Sequence, residues 1–143
     1  MTLPEIQELA RVEEVLESRW PETKIEPSLD RISHLMTLLG DPQFAYPVIH
    51  ITGTNGKTST ARMIESLLRS MGLRTGLVTS PHLHQVTERI RLNGEPIPAG
   101  KFVEIYDELE PYLAIVDNES LASGGPAMSY FEVLTGMAFA TFA

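Results

Sequence analysis

Two glycines, a lysine and several hydroxyl side chains crowd into one short run, Gly53-Thr54-Asn55-Gly56-Lys57-Thr58-Ser59. Those residue types at that spacing suit the holding of phosphate oxyanions. Gly53 and Gly56 let backbone N–H groups approach the oxygens, Lys57 supplies a cation, and a hydroxyl at Thr58 or Ser59 can face Mg²⁺. Such a loop needs a strand to deliver it and a helix to follow it. The β-branched run Val48, Ile49, Ile51 reads as the strand, and Ala61, Ile64, Leu67, Leu68 and Met71 read as one helical face. The start of that helix adds positive potential. The common phosphate-loop pattern has its first glycine where this chain has Ile51, so the glycine arrives late, at Gly53. The plain alternative is a tight strand-to-helix turn that happens to contain Lys57.

The remaining composition narrows the partners. Lysine and arginine total 11 against 19 acidic residues, a formal charge of −8 over 143 residues. That balance argues against a nucleic-acid backbone binder, which shows a basic face. With no cysteine there is neither a disulfide framework nor a thiolate zinc site. The amino-terminus lacks a basic leader before an apolar stretch, and no apolar run approaches membrane-spanning length. The chain reads as soluble and cytoplasmic, with length enough for one domain.

Around the loop, helical spacing recurs. Thr2 and Glu5 make a capping-box pattern with Pro4 in the first turn, and Ile6, Leu9, Val12, Leu16 and Trp20 mark a buried face that Pro21 ends. A second helix starts at Ser28, buries Leu29, Ile32, Leu35, Met36 and Leu39, and stops at Gly40. The loop helix closes at Gly72. Leu77-Val78-Thr79 reads as a second strand, parallel to the first, with Ser80-Pro81-His82 just beyond it. In an open parallel sheet, ligands gather at the carboxyl ends of strands, where Lys57 and Ser80 would both sit. Glu88 to Ile97 reads as a hairpin turning at Asn93-Gly94. A helix after Pro98 buries Phe102, Ile105, Leu109 and Leu113, with Pro111 kinking or splitting it. Asn118 to Pro126 reads as loop, and a last helix runs from Ser129. The chain stops on Met-Ala-Phe-Ala-Thr-Phe-Ala without a cap or a basic last turn, which reads as a cut inside a larger domain.

Taken together, Ile-Thr-Gly-Thr-Asn-Gly-Lys-Thr-Ser (51–59), Thr-Ser-Pro-His-Leu (79–83) and Glu-Arg-Ile-Arg-Leu-Asn-Gly-Glu-Pro-Ile (88–97) resemble the folylpolyglutamate synthase/dihydrofolate synthase family of Mur-type ligases. Ser-Leu-Asp-Arg-Ile (28–32) and Tyr-Phe-Glu (130–132) match in the same order. The resemblance implies an α/β fold: a P-loop-containing nucleotide-binding domain with a parallel sheet, like the Mur-ligase central domain and incomplete in this chain. Residues 1–143 would be its amino-terminal part, without a glutamate-ligase domain.

The implied reaction joins L-glutamate to folate, to dihydropteroate or to both. ATP phosphorylates the pteridine-side carboxylate, and the glutamate amine displaces phosphate from the acyl phosphate. The resemblance makes Lys57 catalytic and wraps Gly53, Thr54, Asn55, Gly56, Lys57, Thr58 and Ser59 around the ATP phosphates. Ser80 and Glu132 match the Mg²⁺ ligands, and Pro81, His82 and Leu83 match the loop receiving the pterin end. Early substrate contacts fall near Ile25, Glu26 and Pro27. Family members commonly have glycine after the lysine, where this chain has Thr58, so either hydroxyl is a candidate for the metal. The partners implied are small molecules alone, with no nucleic acid and no membrane, and a monomer at full length. The fragment by itself is expected to be inactive. The rivals are another Mur-type ligase, acting on a cell-wall precursor, and a non-catalytic nucleotide-binding module.

Simpler roles stand beside these. Ser80 before a proline is an ordinary turn residue. Ser129 to Glu132 is also a capping box, in which the glutamate merely bonds the cap's backbone. His82 and His84 could suggest zinc, but no clear third ligand joins them, and a solvated loop is the alternative. His50 reads as a buried or edge strand residue; Tyr106 and Tyr112 read as helix packing.

Overall fold

A computed structural model describes residues 1–21 and 28–143. In chain order these form α1 (Leu3–Glu17), α2 (Asp30–Leu38), a 3-10 turn (Pro42–Phe44), α3 (Lys57–Ser70) and β1 (Gly76–Val78). A second 3-10 turn (Val86–Arg89), β2 (Ile90–Leu92), β3 (Glu95–Pro96), α4 (Ala99–Ala122) and α5 (Tyr130–Phe142) follow.

The core is built on α4. Its residues Phe102, Ile105, Tyr106, Leu109, Leu113 and Val116 recur every three or four positions and are all buried. Against them pack Leu9, Val12 and Leu16 of α1, Leu35 and Met36 of α2, and Val133, Leu134, Met137 and Ala138 of α5. Pro111 neither splits nor ends α4, which continues through Asn118 and the start of the expected loop to Ala122. The proline lies on the exposed side of the helix, where water can satisfy the carbonyl left without its N–H partner. Two glycines permit close approaches to this core. A Cβ at Gly136 would lie 2.7 Å from Leu35 Cδ2, and one at Gly76 would lie 2.6 Å from the Phe142 ring.

Both expected capping boxes form, at Thr2/Glu5 and at Ser129/Glu132. α1 stops short of Pro21, because the Ser18 hydroxyl donates back to the Val15 carbonyl at 2.6 Å. Trp20 therefore lies outside the helix, its Nε1 donating to the Ala127 carbonyl at 2.6 Å. Leu29, expected to be buried, is 77% exposed because it precedes the first turn of α2.

The sheet differs from expectation. β1 pairs antiparallel with β2, and β2 antiparallel with β3, in the order β1-β2-β3. The hairpin turns as read, with Asn93 at φ 50° and Gly94 at φ 86°, the left-handed pair of a type I′ turn. The parallel pair does not form among the described residues. Val48 and Ile49 are 55% and 60% exposed, and residues 48–51 belong to no ladder. A parallel strand needs a neighbour on its hydrogen-bonding edge and cover on its faces, and no described segment supplies them. α3 shows the same deficit. Met63, Leu67 and Met71 make an exposed apolar stripe, while Glu65 is buried, bonded to the Thr75 hydroxyl at 2.6 Å and to Arg69 at 3.1 Å.

Candidate functional site

The Gly53–Ser59 loop has the geometry an anion cradle requires. Gly56, the cap of α3, sits in the left-handed region at φ 71°, and Gly53 adopts φ 151°, conformations that L side chains rarely take. A Cβ at Gly56 would meet nothing, so backbone conformation alone selects glycine there. The first helical bond runs from Thr60 N–H to the Gly56 carbonyl at 2.9 Å, so the amides of Lys57, Thr58 and Ser59 begin the helix without intrahelical acceptors. Lys57 curls back over the loop, its Nζ donating to the Gly53 carbonyl at 2.6 Å. All residues from Gly53 to Ser59 are exposed. The result is an open turn of free amides with an ammonium across its mouth, which suits polyphosphate.

β1 packs against α3 and leads directly into Ser80, whose peptide bond to Pro81 is cis. The segment after it is held by Glu88. That carboxylate accepts backbone N–H groups from Leu83, His84 and Gln85, each at 3.0 Å. The bond from Leu83, then those from Gln85 and His84, pull its pKa down to about 2. Leu83 itself projects outward, 82% exposed. His82 is half-buried, and its Nδ1 accepts from Arg89 Nε at 2.9 Å. That bond removes it from any zinc pair with His84. Among the described residues no group of histidines and carboxylates is arranged to cage a metal.

Glu132 occupies its capping box: the Ser129 N–H donates to Oε2 at 2.7 Å, and Glu132 N–H donates to Ser129 Oγ at 3.1 Å. It also meets Arg31 of α2, whose Nε lies 3.1 and 3.2 Å from the two carboxylate oxygens. Arg31 is itself 8% exposed and stacks over Trp20, 5.6 Å from the ring centroid. Cap and ion pair together hold this carboxylate, whose side chain is 12% exposed.

Ile25, Glu26 and Pro27 lie outside the described residues. His50 is exposed, since the strand that would have covered it is unpaired; Tyr106 packs in the core as read. Sequence reasoning missed Arg31, Glu88 and Arg89 as organisers of the site. The signal was present in α2: Arg31 sits four residues before Leu35, a charge on a buried stripe.

Comparison with known proteins agrees with this geometry. Residues 51–95, from the phosphate loop through the hairpin turn, match the Mur ligase middle domain. The chain is 57% identical over 145 residues to the dihydrofolate synthase/folylpolyglutamate synthase of Mycobacterium tuberculosis, covering 99% of this chain and 30% of that protein. The M. tuberculosis folylpolyglutamate synthase complexed with ADP superposes with a TM-score of 0.90 at 55% identity, over 96% of this chain and 30% of that one. An FPGS–AMPPCP–folate complex gives 0.82 at 31% identity, over 94% and 32%. Fold and loop together define a Mur-type ligase domain. Within that class, the chain belongs to the folylpolyglutamate synthase/dihydrofolate synthase family, and it spans about 30% of the length of the M. tuberculosis relative.

Proposed function

We propose that this chain is the ATP-holding part of a cytoplasmic, monomeric ligase that joins L-glutamate to folate or dihydropteroate. The observation that carries the reading is the cradle itself: two glycines in glycine-favouring conformations, free amides at the start of α3, and Lys57 lying across them. Relatives solved with ADP and with AMPPCP and folate support it.

The chemistry asks little covalent work of the protein. A carboxylate is a poor acyl donor until one oxygen is phosphorylated, after which the glutamate amine can displace phosphate. The protein's share is positioning and charge neutralisation. The amides from Thr54 to Ser59 hold the phosphates, and Lys57 exchanges the Gly53 carbonyl for a phosphate oxygen. Ser80 and Glu132 offer hard oxygen donors, which suits Mg²⁺, an ion that fills its remaining positions with phosphate oxygens and water. Mg²⁺, when bound, would offset charge building on the transferred phosphoryl group. Pro81, His82 and the exposed Leu83 would face the pterin end.

The test is Lys57→Ala. Its ammonium contributes nothing to the core, so the variant should melt like the parent while binding ATP about tenfold or more weakly, the worth of one charge-assisted hydrogen bond. Calorimetry showing unchanged ATP affinity would reject the phosphate-loop assignment.

A further inference from the structure

Between Pro42 and Glu65 no side chain is buried, and the phosphate loop lies inside that span. Its shape therefore depends on what holds the two ends. Upstream stands Tyr46, half-buried. Its hydroxyl donates to the Phe139 carbonyl of α5 at 3.0 Å, and its ring meets Phe142 edge-on with 6.1 Å between centroids. Downstream, the one buried residue of α3 is a carboxylate, Glu65, 8% exposed. Glu65 closes a ring of contacts. It accepts from the Thr75 hydroxyl at 2.6 Å and from Arg69 Nε at 3.1 Å. Thr75 and Asn93 exchange bonds, the Thr75 N–H donating to Asn93 Oδ1 at 3.0 Å and the Asn93 N–H to the Thr75 carbonyl at 2.8 Å. Arg69 lies against Gly94, where a Cβ would come within 3.0 Å of its guanidinium. Helix, strand start and hairpin turn are joined by directed bonds. A buried carboxylate is a costly way to gain stability, and matched apolar groups would serve that end as well. What the carboxylate adds is a fixed register between α3 and the sheet.

We propose that Glu65 is a positioning residue for the phosphate loop. It pins α3 along its axis, so that the amides of Lys57 to Ser59 face those of Gly53 to Asn55 at the spacing a polyphosphate needs. The inference rests on the phosphate-loop reading. Glu65 stands about 12 Å along the helix from Lys57 and acts on the ligand only through the helix between them. The two halves of the cradle come from differently anchored segments, the first leading back to Tyr46 and the second riding on α3. A slip of α3 therefore changes the cradle's width without unfolding anything.

The experiment uses the 143-residue chain. It has no cysteine, so spin labels can be placed cleanly at His50→Cys and Met63→Cys, exposed positions on either side of the loop. Electron–electron distance measurement reads the loop's span, calorimetry on the unlabelled chain reads ATP affinity, and thermal melting reads stability. The Glu65→Leu/Thr75→Val pair replaces both bonding partners with apolar groups of similar shape, a change that is nearly neutral for stability. Arg69, half-exposed, is left to water. The melting midpoint should stay within about 4 °C of the parent. The label distance should shift or broaden, and ATP should bind about fivefold or more weakly, since a misplacement of about 1 Å can cost a positioned group far more than that. Glu65→Gln, which keeps an acceptor for the Thr75 hydroxyl, should fall between parent and pair, and Thr75→Ser, which keeps the donor, should match the parent. If the pair does not fold, Glu65→Gln and Thr75→Val carry the same comparison. An unchanged label distance, an unchanged ATP affinity, or an affinity loss that merely follows the melting midpoint across the variants overturns the proposal. Parent-like ATP binding by Lys57→Ala instead sinks the phosphate-loop reading, and the label distances then still judge the pin.

Discussion

At the scale of single residues, Glu88 shows how one carboxylate can shape a loop. Its three backbone bonds favour the ionised form, and they depress its pKa from 4.5 to about 2. A depressed carboxylate contributes order that is complete above its unfolded value and is lost as pH falls through the folded one. Protection of the Leu83, His84 and Gln85 amides, taken as exchange relative to an unstructured peptide at the same pH, should therefore be present at neutral pH and fall away between about pH 4.5 and about 2. Glu88→Gln should lose that protection at neutral pH as well; equal protection in that variant would refute the clasp. The Glu-Arg-Ile segment was readable as a family mark. Its two mechanical duties were not, because Glu88 reaches back to three amides and Arg89 across to another element, and neither contact leaves a periodic trace. Lys57 was legible because its role is written into its immediate neighbours.

Among elements, the crossing of α2 and α5 matters most for the site. Gly136 admits Leu35, and one helical turn earlier on each helix stand Arg31 and Glu132. The missing side chain is what brings the two helices close enough for that ion pair. Gly136→Val should destabilise the chain by about 1–3 kcal/mol, the usual cost of overpacking, measured by chemical denaturation. An unchanged or raised stability would show that the crossing has room to spare. Helix faces, caps and the hairpin turn were legible because each is a local pattern of a few residues. The strand read at 48–51 does not form, because β structure depends on a partner distant in sequence, and the segment has apolar character without a ladder. Pro111 and the polar run after it misled in the opposite direction: core contacts of α4 outweighed local breaker signals.

For the whole molecule, the decisive property is openness. Every residue from Gly53 to Ser59 is exposed, so water reaches the cradle freely. Phosphoryl transfer to a bound carboxylate needs water kept away from the reactive acyl phosphate. The 143-residue chain should accordingly bind ATP yet give no glutamate-dependent phosphate release, and release above a glutamate-free control would overturn that expectation. The exposed stripe of Met63, Leu67 and Met71 belongs to the same picture, since it lies on the helix that the loop begins. Next to the Arg31–Glu132 pair stands the only tryptophan in the sequence. Trp20 bonds Ala127 through its indole, accepts Tyr130 N–H on its carbonyl at 3.2 Å, and lies beneath the Arg31 that holds Glu132. Tryptophan fluorescence of this chain therefore originates at the junction of α2 and α5, so the chain carries a built-in optical reporter of the Arg31–Glu132 ion pair, with no dye or label to disturb it.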